Sequence, residues 1–240
     1  MIFYAGDIHG RVKYVAEIDQ AAAAAGVETV IQVGDFGARW GTRETELASG
    51  LVGKGDDPIL KYFEKRERQG RPGPTWYTCG GNHENWHNWI KLSEQQGSPD
   101  CVELAPGCFY VQRGTTLELD GKKHLFFGGA ESTDKYHRTE GKDWFPEESP
   151  SAEEFQKFFD AMEADCPEIV VTHDAPICVE IYRQGRESVP TPRNLDNVLK
   201  HCDHTPTHWY FGHHHLLQSW NINGLDFHCC GLHGQWVESK

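Results

Sequence analysis

Five short apolar segments of this chain each end in Asp, Asn or His side chains. The first, residues 2–5, breaks into Gly6-Asp7-Ile8-His9-Gly10, where the flanking glycines let a carboxylate and an imidazole converge on one point. The other segments end at Asp35, Asn82-His83, His173, and His213 with His215. Because parallel strands bring their carboxyl ends to one edge of a sheet, this repetition predicts an α/β fold with a ligand site at that edge.

The residue types in these clusters indicate a metal site. A lone histidine after a strand is more often a structural residue, but five such clusters in one chain favour metal binding. Carboxylate, imidazole and amide donors without a thiolate suit manganese, iron, zinc or nickel, and the number of imidazoles disfavours magnesium or calcium.

Length and composition predict one soluble domain over residues 1–240. No linker rich in proline or serine divides the 240 residues, and no stretch of 18 apolar residues or basic leader is found. We therefore expect a cytoplasmic protein that does not enter a membrane. Nothing in the sequence indicates an oligomeric state.

The net charge argues against nonspecific binding to nucleic acid. A formal charge of −13 does not supply the clustered cations that such binding needs. Nucleic acid at the site itself stays open, because bound divalent cations would dominate the field that a phosphate meets there.

The first half of the chain is typical of βαβ units. Residues 12–25 predict a helix ended by Gly26, and residues 28–33 predict a strand. Residues 59–68 predict a further helix, with four cations on a solvated face. These cations are Lys61, Lys65, Arg66 and Arg68.

From Cys108 onward the pattern indicates antiparallel strands. Residues 115–119 and 124–127 flank Asp120-Gly121, a strong hairpin signal. Residues 129–148 are too long and polar for a simple connector, and such loops are often functional. Ser151 and Glu154 then form a capping box ahead of an aromatic helix.

The order of these motifs resembles that of the calcineurin-like metallophosphoesterases. Gly-Asp-x-His-Gly, Gly-Asp, Gly-Asn-His-Glu, Thr-His and Gly-His-x-His run from residue 6 to residue 215. The resemblance implies a four-layer α/β/β/α sandwich with two mixed β-sheets. It also implies two divalent transition-metal ions, for which manganese is preferred and iron, zinc and nickel are alternatives.

The resemblance also assigns metal ligands. One ion would be held by Asp7, His9, Asp35 and His215, and the other by Asp35, Asn82, His173 and His213. Two ions about 3.5–4 Å apart share a water and lower its pKa, which provides a hydroxide for in-line attack on a phosphate.

Asp35 and His83 are the predicted catalytic residues. Asp35 would bridge the two ions. His83 is the motif histidine left without a metal, and the resemblance implies that it protonates the leaving group or stabilises charge on the phosphate. The alternative role for His83 is to brace the loop that carries Asn82.

Arg39 and Arg138 are candidate substrate ligands. Arg39 stands where the serine/threonine phosphatases and the dinucleotide tetraphosphatases carry a phosphate-binding arginine. Arg138 lies in the long loop and competes for this role. The likeness to the protein phosphatases is incomplete, because Ala38 and Gly81 replace an acidic residue and an arginine that they use.

We therefore predict a phosphomonoesterase or phosphodiesterase that uses a hydroxide activated by two metal ions. The turn at residues 172–176 looks more like that of bacterial and phage members of the phosphodiesterase type than like that of the protein phosphatases. Alternatives are a serine/threonine-type protein phosphatase or dinucleotide tetraphosphatase, a nuclease, and a scaffold that binds metal without catalysis. A nuclease would need a basic path, such as Lys135 to Lys142 offers, and a scaffold would not need His83.

Overall fold

The computed structural model describes residues 1–38, 57–181 and 185–239. The strands of these residues are β1 (Ile2–Ala5), β2 (Thr29–Gln32), β3 (Thr75–Thr78), β4 (Cys101–Ala105), β5 (Cys108–Val111), β6 (Thr115–Leu119), β7 (Lys122–Phe127), β8 (Ile169–Thr172), β9 (His208–Phe211), β10 (Leu217–Ile222), β11 (Leu225–Cys230) and β12 (Trp236–Glu238). The α-helices are α1 (Val12–Ala24), α2 (Pro58–Arg68), α3 (Trp86–Gln95), α4 (Ala152–Asp165) and α5 (Pro190–His201).

The strands form two mixed sheets of six strands each. The strand order is β12-β1-β2-β3-β5-β4 in the first sheet and β10-β11-β9-β8-β7-β6 in the second. In each sheet four parallel strands lie between two antiparallel edge strands. Helices cover the outer face of each sheet, so the four-layer sandwich with mixed sheets is confirmed.

The central strands are buried on both faces, which explains their continuous apolar sequences. In β1, Phe3 and Ala5 pack in the core beneath the helices of the first sheet. Ile2 and Tyr4 point the other way and pack in the core between the sheets, together with Phe126 of β7. The alternation with a period of two therefore fills two different cores from one strand.

Tyr4 also connects the two sheets through polar and aromatic contacts. Its ring stacks on that of Tyr210 in β9, with 3.5 Å between the ring centroids. Its hydroxyl lies 2.8 Å from Nε2 of His124 in β7. Nδ1 of His124 lies 2.9 Å from the carbonyl oxygen of Lys122 and donates to it, so Nε2 accepts from Tyr4. Burial lowers the pKa of His124 to about 4.

Two strand relationships differ from the sequence prediction. The antiparallel pattern expected from Cys108 onward holds for β6 with β7. It is wrong for β5 and β7, which pair in parallel with β3 and β8. The sequence did not predict β4, which lies between α3 and β5, and β5 therefore returns to the first sheet.

Arg66 does not lie on a solvated face. Its Nη1 donates to Oδ1 of Asp19 at 2.7 Å and to the carbonyl of Pro74 at 3.0 Å, and its side chain is buried. Asp19 of α1 is a buried carboxylate, and a cation and hydrogen-bond donors are needed to offset the cost of its burial. The prediction holds for Lys61, Lys65 and Arg68, which are exposed.

No helix in the described parts of the chain is long and apolar enough to cross a membrane.

Candidate metal centre

The polar clusters meet where strands of both sheets end. Asp7 and His9 follow β1, Asp35 follows β2, Asn82 and His83 follow β3, His173 follows β8, and His213 and His215 follow β9. β1, β2 and β3 are neighbours in the first sheet, and β8 and β9 are neighbours in the second. The two sheets therefore contribute donors to one site from opposite sides.

Among the residues that the structure describes, three sets each place their ligand atoms within 4.8 Å of one another. They are Asp7 with His9 and His215, His9 with Asp35 and His83, and Asp7 with Asp35 and His173. Donor atoms at about 2.1 Å from one metal ion lie about 3–3.5 Å apart, so these sets are close to the spacing that a metal site requires.

The first group of donors lies around Asp7. Nε2 of His215 is 3.1 Å from Oδ2 of Asp7 and 3.3 Å from Nε2 of His9. The Asp7 carboxylate is fully buried and accepts the backbone N–H of His213 at 3.2 Å. Asp7 is thereby held between the turn after β1 and the turn after β9.

The second group of donors lies around Asn82. Its Oδ1 is 3.0 Å from Nε2 of His173 and 3.0 Å from Nδ1 of His213. Oδ2 of Asp35 lies 3.4 Å from Nε2 of His173 and 3.8 Å from Nε2 of His9. Asp35 is therefore the carboxylate that stands between the two groups.

The hydrogen bonds of His173 show that the second group needs a cation. Its Nδ1 lies 2.8 Å from the carbonyl of Val33 and must donate to it, so Nε2 of the neutral ring is an acceptor. This nitrogen faces the amide oxygen of Asn82 and the carboxylate of Asp35, which are acceptors as well. Three acceptors at this spacing require a proton or a metal ion among them.

The pKa shifts of His173 and Asp35 also indicate that this position favours a cation. Burial opposes protonation of His173, but the Asp35 carboxylate raises the pKa of the ring to about 10. Burial likewise opposes ionisation of Asp35, and His173 nevertheless holds the pKa of that carboxyl well below its usual range. A position that attracts a proton this strongly also suits a divalent ion, so the donor set fits the expected metal.

His83 lies beside both groups. The sequence left it without a metal, and its ring nitrogen lies within 4.8 Å of the ligand atoms of His9 and Asp35. Its backbone N–H donates to Oδ1 of Asp35 at 2.7 Å. Burial lowers the pKa of His83, while the charge of Asp35 acts in the opposite direction. The side chain therefore faces the same space as the donor groups.

Arg138 reaches this space from the long loop. Its Nη2 lies 3.3 Å from Nε2 of His83. Asp134 holds the guanidinium by accepting from Nε at 2.9 Å and from Nη2 at 2.7 Å. The structure thus brings Arg138 to the site, whereas Arg39 lies outside the described residues.

The backbone of the site adopts conformations that are rare outside glycine. φ is +49° at His9, +56° at Asp35, +64° at His213 and +57° at His215. Such left-handed residues cost about 1–3 kcal/mol each and persist where the surrounding structure fixes them. The turns after β1, β2 and β9 therefore hold their donors in place by an arrangement that opposes the intrinsic backbone preference.

Gly81 shows why the residue before Asn82 has no side chain. A Cβ at this position would lie 2.2 Å from Oδ1 of Asp35 and 2.8 Å from Nε2 of His173. The close approach of the backbone to the donor groups thus excludes, in this chain, the arginine of the protein phosphatases.

Sequence reasoning gave no role to Glu84, which connects two turns of the site. Its carboxylate accepts the backbone N–H groups of Phe36 at 2.6 Å, Gly37 at 2.9 Å and Gly81 at 3.3 Å. Burial raises the pKa of Glu84 to about 8. Its place in the Gly-Asn-His-Glu motif was the available signal.

Asp174 was also missed. Its Oδ1 accepts from Nε2 of His214 at 2.9 Å, and both side chains are buried. This contact joins the turn that carries His173 to the turn that carries His213 and His215. The only signal in the sequence was its position directly after His173.

Comparison with known proteins identifies the family. The sequence model described as calcineurin-like phosphoesterase matches residues 2–217. The chain belongs to this family. The resemblance drawn from the motifs is therefore confirmed, and with it membership in a family of divalent-metal-dependent phosphoesterases. No curated protein with which the chain was compared matches its sequence.

Solved structures share the fold at low sequence identity. A protein from Thermus thermophilus matches with a TM-score of 0.58 and 13% identity, over 97% of this chain and 89% of that chain. GAP50, the anchor in the inner membrane complex of Plasmodium, matches with a TM-score of 0.54 and 15% identity, over 96% of this chain and 70% of that chain. At these identities the likeness shows the fold alone.

Proposed function

We propose that this protein hydrolyses phosphoesters at a centre that holds two divalent ions. Family membership supports metal-dependent hydrolysis of phosphoesters in general. The observation that carries the proposal is the second donor group, where acceptors of His173, Asn82 and Asp35 face one another and require a cation.

The proposed ligands divide between the two donor groups. Asp7, His9, Asp35 and His215 would hold one ion, and Asp35, Asn82, His173 and His213 would hold the other. Manganese is the first ion to supply, with iron, zinc and nickel as alternatives, because the donors are nitrogen and oxygen atoms without a thiolate. When bound, such ions polarise a phosphate and lower the pKa of a water molecule.

We assign binding of the phosphate to Arg138. The guanidinium is already oriented by Asp134 and lies beside His83, so it meets a phosphate without first ordering a long side chain. Its planar donors match phosphate oxygens, which a lysine does not reproduce.

We assign proton transfer to His83. Its ring faces the donor groups and the Arg138 guanidinium, so it can reach an oxygen of a phosphate held between them. A phosphate that takes over the Arg138 guanidinium would free Nε2 of His83 to carry a proton, and transfer of that proton to the departing oxygen leaves a neutral ring and avoids the formation of a free alkoxide. Glu84 accepts three backbone N–H groups of the surrounding turns, and this second source of bracing favours proton transfer over bracing as the role of His83.

The nuclease alternative depends on a basic path in the long loop. Asp134 pairs with Arg138, and Asp143 accepts the backbone N–H of Thr139 at 2.5 Å, so acidic residues stand among the loop cations. This distribution favours a small phosphoester over a polyanion.

The test is hydrolysis of a monoester, a diester, a 2′,3′-cyclic nucleotide and a single-stranded oligonucleotide, with Mn²⁺ supplied. We expect at least one of the small substrates to be cleaved, with loss of activity on chelation and recovery on addition of Mn²⁺. Binding of Mn²⁺ without hydrolysis of any substrate would instead support the scaffold alternative. Cleavage of the oligonucleotide alone would support the nuclease.

A further inference from the structure

The amide of Asn82 is contacted from behind by Ser132, a residue of the long loop. Nδ2 of Asn82 donates to Oγ of Ser132 at 3.0 Å. On its other side, Oδ1 of Asn82 faces His173 and His213. Asn82 and Ser132 are both buried, so bulk solvent does not reach them.

Glu148, at the other end of the loop, holds Ser132 by two hydrogen bonds. Its Oε1 accepts the backbone N–H of Ser132 at 2.6 Å, and its Oε2 accepts the hydroxyl of Ser132 at 2.7 Å. Glu148 is only 1% exposed. The Ser132 hydroxyl has one proton and donates it in the hydrogen bond to Glu148. Oγ of Ser132 can therefore only accept from the NH₂ group of Asn82.

This chain of hydrogen bonds has a direction. It obliges Asn82 to turn its NH₂ group toward Ser132 and its oxygen toward His173 and His213. The opposite amide orientation would place an NH₂ group, which cannot bind a metal ion, among the metal-binding atoms of His173 and His213. The identity of the ligand atom thus depends on a carboxylate that does not face the site.

We propose that Ser132 and Glu148 are positioning residues that fix the Asn82 amide and thereby set the affinity of the metal site around His173 and His213. This inference rests on the proposed function, which supplies the metal ion. Residues that orient a ligand in this way typically change metal affinity or activity by about 10–100-fold when they are replaced.

Arg113 fixes both ends of the long loop and so stabilises the contact between Ser132 and Asn82. Arg113 donates to the carbonyl of Gly128 at 2.9 Å and to those of Glu147 at 2.8 Å and Glu148 at 3.2 Å. One buried guanidinium therefore ties both ends of the segment together. Between these ends, Arg138 contacts His83, so the same loop reaches two consecutive residues of the Gly-Asn-His-Glu motif.

The experiment is a calorimetric titration of the metal-free full chain with Mn²⁺. Glu148→Gln keeps the size of the side chain but leaves one acceptor oxygen for two donors, so the backbone N–H and the hydroxyl of Ser132 are no longer both accepted and the orientation of Asn82 is no longer imposed. We expect two Mn²⁺ sites in the wild-type protein. In Glu148→Gln and Ser132→Ala, one site should bind about 10–100-fold more weakly while the other is unchanged.

Matched variants separate positioning from a general structural effect. Ser132→Thr keeps the hydroxyl and should retain the wild-type affinities. Glu147→Gln changes the neighbouring carboxylate, whose contact is with His87 at 3.2 Å, and should also retain them. In an Asn82→Ala background, Glu148→Gln should cause no further loss of Mn²⁺ affinity, because the amide that it orients is gone.

The outcomes distinguish this inference from the proposed function. Two wild-type sites together with unchanged affinities in Glu148→Gln would overturn the positioning role alone. A further loss in the Asn82→Ala background would also overturn it. A wild-type protein without bound Mn²⁺ would overturn the proposed function as well. Circular dichroism checks folding, and Ser132→Ala carries the test if Glu148→Gln does not fold.

Discussion

Protonation of His124 should make the fold less stable below neutral pH. The imidazole is fully buried between the two sheets, donates to the carbonyl of Lys122 and accepts from the hydroxyl of Tyr4. A protonated ring would carry a buried charge and would turn a second N–H toward that hydroxyl. Burial accordingly lowers the pKa of His124 from 6.5 to about 4 in the folded state.

The direction of the effect follows from proton binding. Between pH 6.5 and pH 4 the unfolded chain binds the proton and the folded chain does not, so the free energy of unfolding falls as the pH falls. The difference between the unfolded and folded pKa values of His124 corresponds to about 3 kcal/mol of unfolding free energy in total. About 2 kcal/mol of this is lost between pH 7.5 and pH 5. Above about pH 7.5 this residue contributes almost no pH dependence, because the unfolded chain no longer binds the proton either.

The assay is urea unfolding at several pH values, followed by tryptophan fluorescence with a chelator present. Other groups titrate in the same range, so the informative quantity is the difference between the wild-type protein and His124→Gln. Glutamine keeps an acceptor for Tyr4 but does not titrate, and this variant should lose about 2 kcal/mol less than wild type between pH 7.5 and pH 5. His201→Gln, at an exposed position of α5, should keep the wild-type dependence. Equal slopes for wild type and His124→Gln would refute the reasoning.

Three further predictions concern the proposed chemistry. Asp35→Asn should weaken Mn²⁺ binding at both sites, whereas His9→Ala should affect chiefly one; elemental analysis that finds two tightly held ions in Asp35→Asn contradicts the bridging role. His83→Ala should keep the ions and lose about 10²–10⁴-fold in turnover of an alkyl phosphate, with a smaller loss for nitrophenyl phosphate; equal losses in steady-state kinetics argue against proton transfer. Arg138→Lys should lower kcat/KM for a monoester at least tenfold, or about 1.4 kcal/mol; wild-type kinetics would exclude the guanidinium contact.

The sequence was sufficient for features that depend on neighbouring residues. An apolar strand followed directly by Asp7 or His173 is visible in a few residues, and the recurrence of this pattern predicted the common edge of the sheets. The capping box of Ser151 and Glu154 is equally local, and both of its hydrogen bonds are present.

Features that depend on distant partners were not predictable in this way. Arg66 is buried because Asp19 lies beneath it, 47 positions away in the chain. Glu84 acts on the N–H groups of residues 48 and 47 positions away, and Ser132 acts on Asn82 across 50 positions. None of these pairs leaves a periodic signal, since each depends on which strands become neighbours. The placement of β5 in the first sheet was missed for the same reason.

The path of the chain between the sheets has a consequence for assembly. The second sheet is an insertion into the first, because β6 to β11 lie in sequence between β5 and β12, and β12 pairs with β1. The donors Asp7, Asp35 and Asn82 belong to the first sheet, and His173, His213 and His215 belong to the inserted one. Neither sheet alone therefore carries a complete set of metal ligands. A metal ion would bind fully only after the inserted sheet has packed against the first, and it would then stabilise the contact between them.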